Sequence, residues 1–349
     1  MVDYAVKYSP VVDELFTKEA LTPPAVNDEY DWIGVETVKV YGIGTAEMGD
    51  YNTTGNFRYG NPEELSNATQ EMTLRRDRSF TYTIDRKSYD DTIMTMEAGK
   101  SLARQIRERV IPEVDNYRLL QMSIGSAFKS TNTISKNSTY EEALLLNGDL
   151  DDSNVPKAGR VLYITPKAFN YLKLDPAFVK TGDMSLRISL NGIVGEVDGV
   201  PVILTPSSRM PVGVNMIIVH NSATPAPIKL VDYKVHDNPP HINGWLVEGR
   251  VRYDAFVLNN KKVGIAINAT SATTHTVTFS GNANDTGREP SAVTGFDGGK
   301  FKAPTSQMTK GGKAFKKWNT AADGTGTTVA IGADITISAN TTLYAIYEA

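Results

Sequence analysis

The most constraining stretch of the chain is GIVGEVDGVPVILTPSSRMP. Two β-rich runs, Ile193 to Val197 and Val200 to Leu204, flank Asp198-Gly199 there, the pair that fits a two-residue hairpin turn. Just upstream, GRVLYITPKAFNYLK switches from a short buried strand, Val161 to Ile164, into a helix. The Thr165 hydroxyl is placed to cap that helix, and Pro166 at its first position forfeits no hydrogen bond. Ala168, Phe169 and Leu172 then share one face. Downstream, after the apolar run Met216 to Val219, Trp245, Val247, Val251, Tyr253, Ala255 and Val257 alternate with Glu248, Arg250, Arg252 and Asp254, giving a strand with one apolar and one charged face. Strands and helices mixed in this way make the chain α+β.

The order of strand-Pro-helix, G-E-V-D-G-V-P-V hairpin, S-S-R-M-P loop and closing charged strand resembles the axial domain of tailed-bacteriophage major capsid proteins, the Hong Kong 97-type capsid fold. The resemblance runs over roughly residues 30 to 267, with the axial domain at about 159–258, and none of its motifs is catalytic.

Residues 1 to 30, with Pro10 and Pro23-Pro24, read as an extended arm with one short helix near Val11 to Phe16. On sequence alone the arm is either a frayed end or a segment laid on another surface. The resemblance implies the second, with Val11, Leu15, Phe16 and Leu21 against a neighbouring subunit. A strand over Trp32 to Tyr41 leads into a polar excursion punctuated by Gly42, Gly44, Gly49, Gly55 and Gly60. The return strand has Met72, Leu74, Phe80, Tyr82 and Ile84 on one phase and a slip near Asp77. Two long strands without a core need a partner surface, and the resemblance makes residues 42–86 the extended loop that overlaps the adjacent subunit. Arg75, Arg76, Arg78 and Arg86 on this return fit a solvated face, ion pairs between subunits, or a nucleic-acid contact.

From Leu102 to Phe128 apolar residues fall at helical spacing, and Pro112 is expected to kink or split the rod near Arg109. In the resemblance this is the spine helix of the peripheral domain, at about 88–128. Residues 129–158 form a polar bridge with one short helix at Tyr140 to Leu146.

Composition excludes much. The absence of cysteine removes disulfides, thiolate metal sites and cysteine nucleophiles. A net charge of −4 argues against a dedicated DNA-binding surface, and no apolar run is long enough to cross a bilayer. The start is unlike a secretory signal, so a cytoplasmic origin is expected. His220, His236, His241 and His275 show no ligand spacing, Ser207-Ser208 lacks a nucleophile-elbow setting, and Gly42-x-Gly44 lacks the third glycine of a phosphate loop. No catalytic, cofactor-binding or metal-binding residue is assigned, and the chain is not expected to be an enzyme.

After Ile267 the composition changes. NATSATT, residues 268–274, reads as a flexible linker, and 275–349 as a small, Gly- and Thr-rich β unit of nearly neutral charge. Phe315, Trp318, Asn319, Leu343, Tyr344 and Ala345 resemble the β-grasp-like surface repeat of Listeria internalin B and Bacteroides proteins, with Lys313 and Tyr347 standing where that family has aromatic and tryptophan residues. The same side chains also suit the plain core of a small β domain.

Together the resemblances imply a major capsid protein that assembles with itself into pentamers and hexamers of an icosahedral shell. Its partners would be portal and scaffolding proteins and double-stranded DNA enclosed without sequence-specific binding, in a virion assembled in the host bacterial cytoplasm. The arm begins almost at Met1, which implies a processed form or a separate scaffold. The C-terminal unit would decorate the exterior, bind cell-surface glycans weakly, and be removable after Ile267 without loss of the shell. The alternatives are an encapsulin-type nanocompartment and a bacterial cell-surface adhesin.

Overall fold

A computed structural model describes residues 20–27, 30, 37–43, 48–61, 64, 67–87, 98–177 and 193–348. The excursion comprises β1 (Thr37–Ile43) and β2 (Asn67–Thr73), paired antiparallel, followed by β3 (Arg76–Asp85). The break between β2 and β3 falls at Leu74 and Arg75, close to the slip expected at Asp77.

The spine has two α-helical parts, α1 (Ala98–Gln105) and α2 (Ile111–Gly125), joined by a π turn over Ile106–Val110. Pro112 explains the join: it has no N–H to donate into the preceding turn, and the ladder shifts to wider spacing there, with the Ile111 N–H reaching the Ile106 carbonyl. Residues 88–97 of the expected helix lie outside the described residues. The helix also stops short of Phe128, because Ser126 is extended and Gly125 packs so tightly that a Cβ there would lie 2.6 Å from Val257 Cγ2. Phe128 instead opens β4 (Phe128–Ser130). The short helix expected in the bridge is longer, α3 (Thr139–Asp152).

The axial body is a six-stranded sheet. To β4 it adds β5 (Arg160–Ile164), β6 (Ile193–Val197), β7 (Val200–Leu204), β8 (Val214–His220) and β11 (Ile265–Ala269), in the order β4-β11-β8-β5-β7-β6. Its central strands, β11, β8 and β5, are largely apolar and buried because both faces are covered. Val161, Tyr163, Ile217, Val219, Ile265 and Ile267 face one core with Leu119 and Met122 of α2. The alternate residues Leu162, Ile164, Met216, Ile218 and Ala266 face a second core with Leu146 and Leu150 of α3 and with Ala168 and Leu172 of α4 (Pro166–Leu174). The Thr165 hydroxyl caps α4 by accepting from the Ala168 N–H at 3.4 Å. The β6–β7 turn has positive φ at both Asp198 (48°) and Gly199 (74°), as its type requires, and Asn147 Nδ2 donates to Asp198 Oδ2 at 2.7 Å.

The expectation of one axial unit over 159–258 needs correcting. β9 (Ile228–Asp237) and β10 (Gly244–Tyr253) leave the axial sheet and form a separate three-stranded sheet with β3, in the order β3-β10-β9. The alternation in β10 is as read from the sequence: Val247, Val251 and Tyr253 are buried, and the spine covers them through Ala98 and Val114. Its partner β3 lies far away in sequence, and local patterning carries no information about that pairing.

The C-terminal unit contains β12 (Thr274–Ser280), β13 (Val293–Phe296), β14 (Lys300–Lys302), β15 (Thr309–Lys310), β16 (Lys313–Asn319), β17 (Thr328–Val329), β18 (Asp334–Thr336) and β19 (Thr341–Tyr347). Its main sheet runs β13-β12-β19-β16-β15, and β12 and β19 are parallel. Phe279, Met308, Trp318, Ile337 and Leu343 fill its core. The flexible linker expected over 268–274 is not what the structure has. Asn268 and Ala269 close β11 and are buried, with Asn268 Nδ2 donating to Glu142 Oε1 at 2.9 Å, and Thr274 already belongs to β12.

Candidate assembly site

The base of the arm is fixed within its own subunit. Asp115 of α2, almost fully buried, accepts from the Leu21 N–H at 3.0 Å, the Thr22 N–H at 3.3 Å, the Thr22 hydroxyl at 2.7 Å and Arg209 Nη1 at 2.9 Å. Tyr163 donates its hydroxyl to the Leu21 carbonyl at 3.0 Å, and burial pushes that phenol well above the ordinary tyrosine range, with the nearby Asp115 charge adding to the rise. Leu21, assigned by resemblance to a neighbour, is therefore part of its own axial core. Val11, Leu15 and Phe16 lie outside the described residues. Nothing in the sequence pairs Asp115 with Leu21 and Thr22, because the carboxylate sits mid-helix where a solvated acid is the ordinary expectation.

The excursion leaves large apolar side chains open to solvent. Tyr41 is 68% exposed, Tyr59 93% and Met48 fully exposed, with Tyr51 and Phe57 also open. Tyr51 and Tyr59 meet edge to face with ring centroids 5.0 Å apart. Of these only Tyr41 lies on a strand, β1; the other four lie in the non-strand segment 48–61. Met72 and Leu74 at its base are buried against Leu258, and Gln70 donates its Nε2 to the Val257 carbonyl at 2.9 Å, so the excursion is rooted in the body.

The arginines of the return strand find partners inside the subunit. Arg78 Nε donates to Glu113 Oε1 at 2.6 Å, and Arg76 lies over the Tyr117 ring with its carbon 4.5 Å from the centroid while reaching Glu113 at 3.5 Å. Arg86 pairs with Asp237 at 3.6 Å and stacks on Trp245. Arg75 is exposed and donates its backbone N–H to Asp254 Oδ2 at 2.8 Å. Tyr117 donates its hydroxyl to Asp254 Oδ1 at 2.7 Å. Burial, then the Asp254 contact, raises that phenol far above the tyrosine range. This polar knot holds the spine against β3 and β10.

The histidines do not converge. His220 Nδ1 shares a hydrogen with the Ser222 hydroxyl at 2.9 Å and burial lowers its pKa; His236 meets Glu248 at 3.3 Å. His241 adopts positive φ in a turn, and His275 lies in β12. Ser207 and Ser208 are exposed on the β7–β8 loop, and no group of three His, Asp or Glu among the described residues is placed to hold a metal. A cleft of about 840 Å³ opens between α2, that loop and the C-terminal unit, with Asn116, Lys167, Ser207, Lys300 and Lys302 on its walls. Lys302 is paired with Asp334 at 2.9 Å, and Asn116 donates its Nδ2 to the Arg209 carbonyl at 3.1 Å.

In the C-terminal unit the residues read as a surface-repeat motif form its centre. Trp318 is fully buried and donates its Nε1–H to the Pro304 carbonyl at 2.8 Å. It lies opposite Ala345 in the β16–β19 ladder, next to the pair of Asn319 with Tyr344. Asn319 Nδ2 ties down the glycine-rich turn through the carbonyls of Gly324 (3.1 Å) and Gly326 (3.0 Å). Tyr347 packs on the edge of this core, opposite Phe315.

Solved structures share the body of this arrangement. A chain from Mycobacterium phage Che8 aligns with TM-score 0.59 at 13% identity, covering 75% of this chain and 96% of that one. The mature capsid of bacteriophage PhiM1 gives 0.56 at 11%, covering 76% and 91%. The capsid of cyanophage P-SCSP1u gives 0.57 at 10%, covering 77% and 92%. The chain has the phage capsid fold. Residues 275–346 match the Listeria-Bacteroides repeat domain family, so the capsid fold here carries a C-terminal β-rich extension about the size of the uncovered quarter. A comparison of the sequence with curated proteins finds no match.

Proposed function

We propose that the chain is the major capsid subunit of a tailed phage, assembling with copies of itself into a closed icosahedral shell around double-stranded DNA. The single observation that carries this is the near-complete coverage of phage capsid chains by the body of the protein. The open apolar side chains of the excursion supply what such assembly needs, a surface that is stable only against another subunit. The work of the protein is then geometric, with stability drawn from area buried between chains and no chemical step. Portal and scaffolding proteins, and assembly in a bacterial cytoplasm, belong to the same reading. The organisation proposed is arm, capsid body and C-terminal unit from residue 275, with that unit on the outer surface and open to weak, repeated contacts with cell-surface glycans. The nanocompartment and adhesin readings are not favoured, because the structural neighbours come from phages.

The purified chain should sediment at micromolar concentration as capsomers or shells, with closed particles in electron micrographs. A stable monomer across salt conditions, with no particles, would refute the proposal.

A further inference from the structure

The C-terminal unit touches the rest of the chain at two separated places. The first is the loop between β7 and β8. Phe296, fully buried, leaves its own unit for the axial core that holds Met210, Val214 and Ala269, while Val212 of the loop packs into the C-terminal core with Val293 and Ile337. Backbone hydrogen bonds run alongside this exchange: the Phe296 N–H donates to the Val212 carbonyl at 2.9 Å and the Thr270 N–H to the Gly213 carbonyl at 2.7 Å. The approach is so close that a Cβ added at Gly295 would lie 2.6 Å from Val212 Cβ, and one at Gly299 would lie 2.8 Å from the Gly213 nitrogen.

The second place is β3. Arg288 Nη1 donates to the Ser79 carbonyl at 2.7 Å, and Arg78 Nη2 donates to the Ser291 hydroxyl at 2.8 Å while its Nε holds Glu113 of α2. β3 is an edge strand of the peripheral sheet, whereas the β7–β8 loop belongs to the axial sheet. The spine crosses between the same two bodies within α2: Ala98 of α1, Val110 of the π turn and Val114 of α2 pack on the peripheral sheet, whereas Leu119 and Met122 of α2 pack on the axial sheet.

We propose that the C-terminal unit is an intramolecular brace, which spans from the axial sheet to the edge of the peripheral sheet and fixes the angle between them alongside the stretch of α2 that crosses from one to the other. The two contacts do unequal shares of this. The shared core at Phe296 and Val212 sets the orientation of the unit. The arginine and serine contacts are exposed and individually weak; they hold because the first contact keeps them at high effective concentration. The brace is a property of one folded chain, so its test is separate from that of shell formation.

The test is hydrogen exchange of the full-length chain read by mass spectrometry. Arg288→Ala combined with Ser291→Ala removes the outer contact only. It should raise exchange about threefold to tenfold over residues 76–82 and 113–119, the scale expected for losing one or two modest hydrogen bonds, and leave β12 and β19 unchanged. Phe296→Ala removes the inner contact and should raise exchange by more than tenfold over the same segments and over 207–214. If both variants leave 76–82 and 113–119 exchanging as in the parent, the brace is refuted. That holds equally where Phe296→Ala strips protection from β12 and β19, since the unit would then be undocked with no effect on the sheet it is said to hold.

Discussion

Replacing Asp115 by Asn tests the attachment of the arm and the logic of the axial core together. The carboxylate and its partner Arg209 are buried to 1% and 4% side-chain exposure, with Arg209 Nη1 at 2.9 Å, and three further donors from Leu21 and Thr22 converge on the same two oxygens. Asn keeps the shape but removes the charge, turns one acceptor into a donor facing donors, and strips Arg209 of its carboxylate. Breaking a buried pair from one side costs about 3–5 kcal/mol, because the remaining charge has already been desolvated. Removing both members, as in Asp115→Leu with Arg209→Met, should cost less than Asp115→Asn alone, since no charge is then stranded. The arm base loses its anchor in both variants. Urea unfolding followed by tryptophan fluorescence gives the stability difference, and limited proteolysis at residues 18–22 gives the state of the arm. A loss below ~1 kcal/mol for Asp115→Asn, or an arm base as resistant as in the parent, would refute the reasoning.

Three other outcomes are expected. Removing residues 270–349 empties the seat of Phe296 and should destabilise the axial body by about 3–5 kcal/mol, the scale of a large-to-small core change, so soluble yield and the thermal midpoint fall; full recovery of both would show that the body closes without it. Between Lys39 and Lys87 the sequence has no lysine, so the excursion offers no amine for an isopeptide cross-link, and particles should dissolve to single chains on a denaturing gel, where a ladder would contradict this. Asp77 is held below the ordinary carboxylate range, chiefly by its hydrogen bond from Arg250 at 2.9 Å. A lowered folded pKa means the contribution is present above the unfolded value and lost as pH falls through the folded one, so Asp77→Asn should flatten the acid limb of stability below about pH 4 by well under 1 kcal/mol, since the pair is exposed; an unchanged acid limb counts against it.

The sequence was most legible where one short segment carries its own instructions. Asp198-Gly199, Thr165-Pro166 and the alternation of Trp245 to Tyr253 each specify local geometry through turn chemistry, capping or period, and each stands as read. It was least legible where geometry depends on a distant partner. Pairing of β10 with β3, rather than with the axial strands beside it in sequence, follows from a register across some 170 residues, such as Arg250 opposite Ser79, and periodicity is silent on that. NATSATT misled for a different reason: Ser, Thr and Ala are as compatible with a buried strand end and a tight crossing as with a flexible tether. The candidate surface was half visible. Gly-punctuated strands without a core announced an excursion in need of a partner, but the contacts that anchor its neighbours, Asp115 to the arm and Glu113 to the arginines, come from polar residues on a helix whose sequence treats them as solvent-facing.

The residue exchange at the junction makes the domain boundary a poor place to cut. A seam drawn by sequence at 268–274 leaves Phe296 on the wrong side of it and Val212 on the other. Anyone recombining this protein, replacing its last unit with a foreign passenger or grafting the unit onto another body, inherits a vacancy shaped like a phenyl ring in one product and an uncovered Ile337 in the other. Such parts are inherited as a pair, and the transferable piece includes the 205–214 loop along with the unit that leans on it.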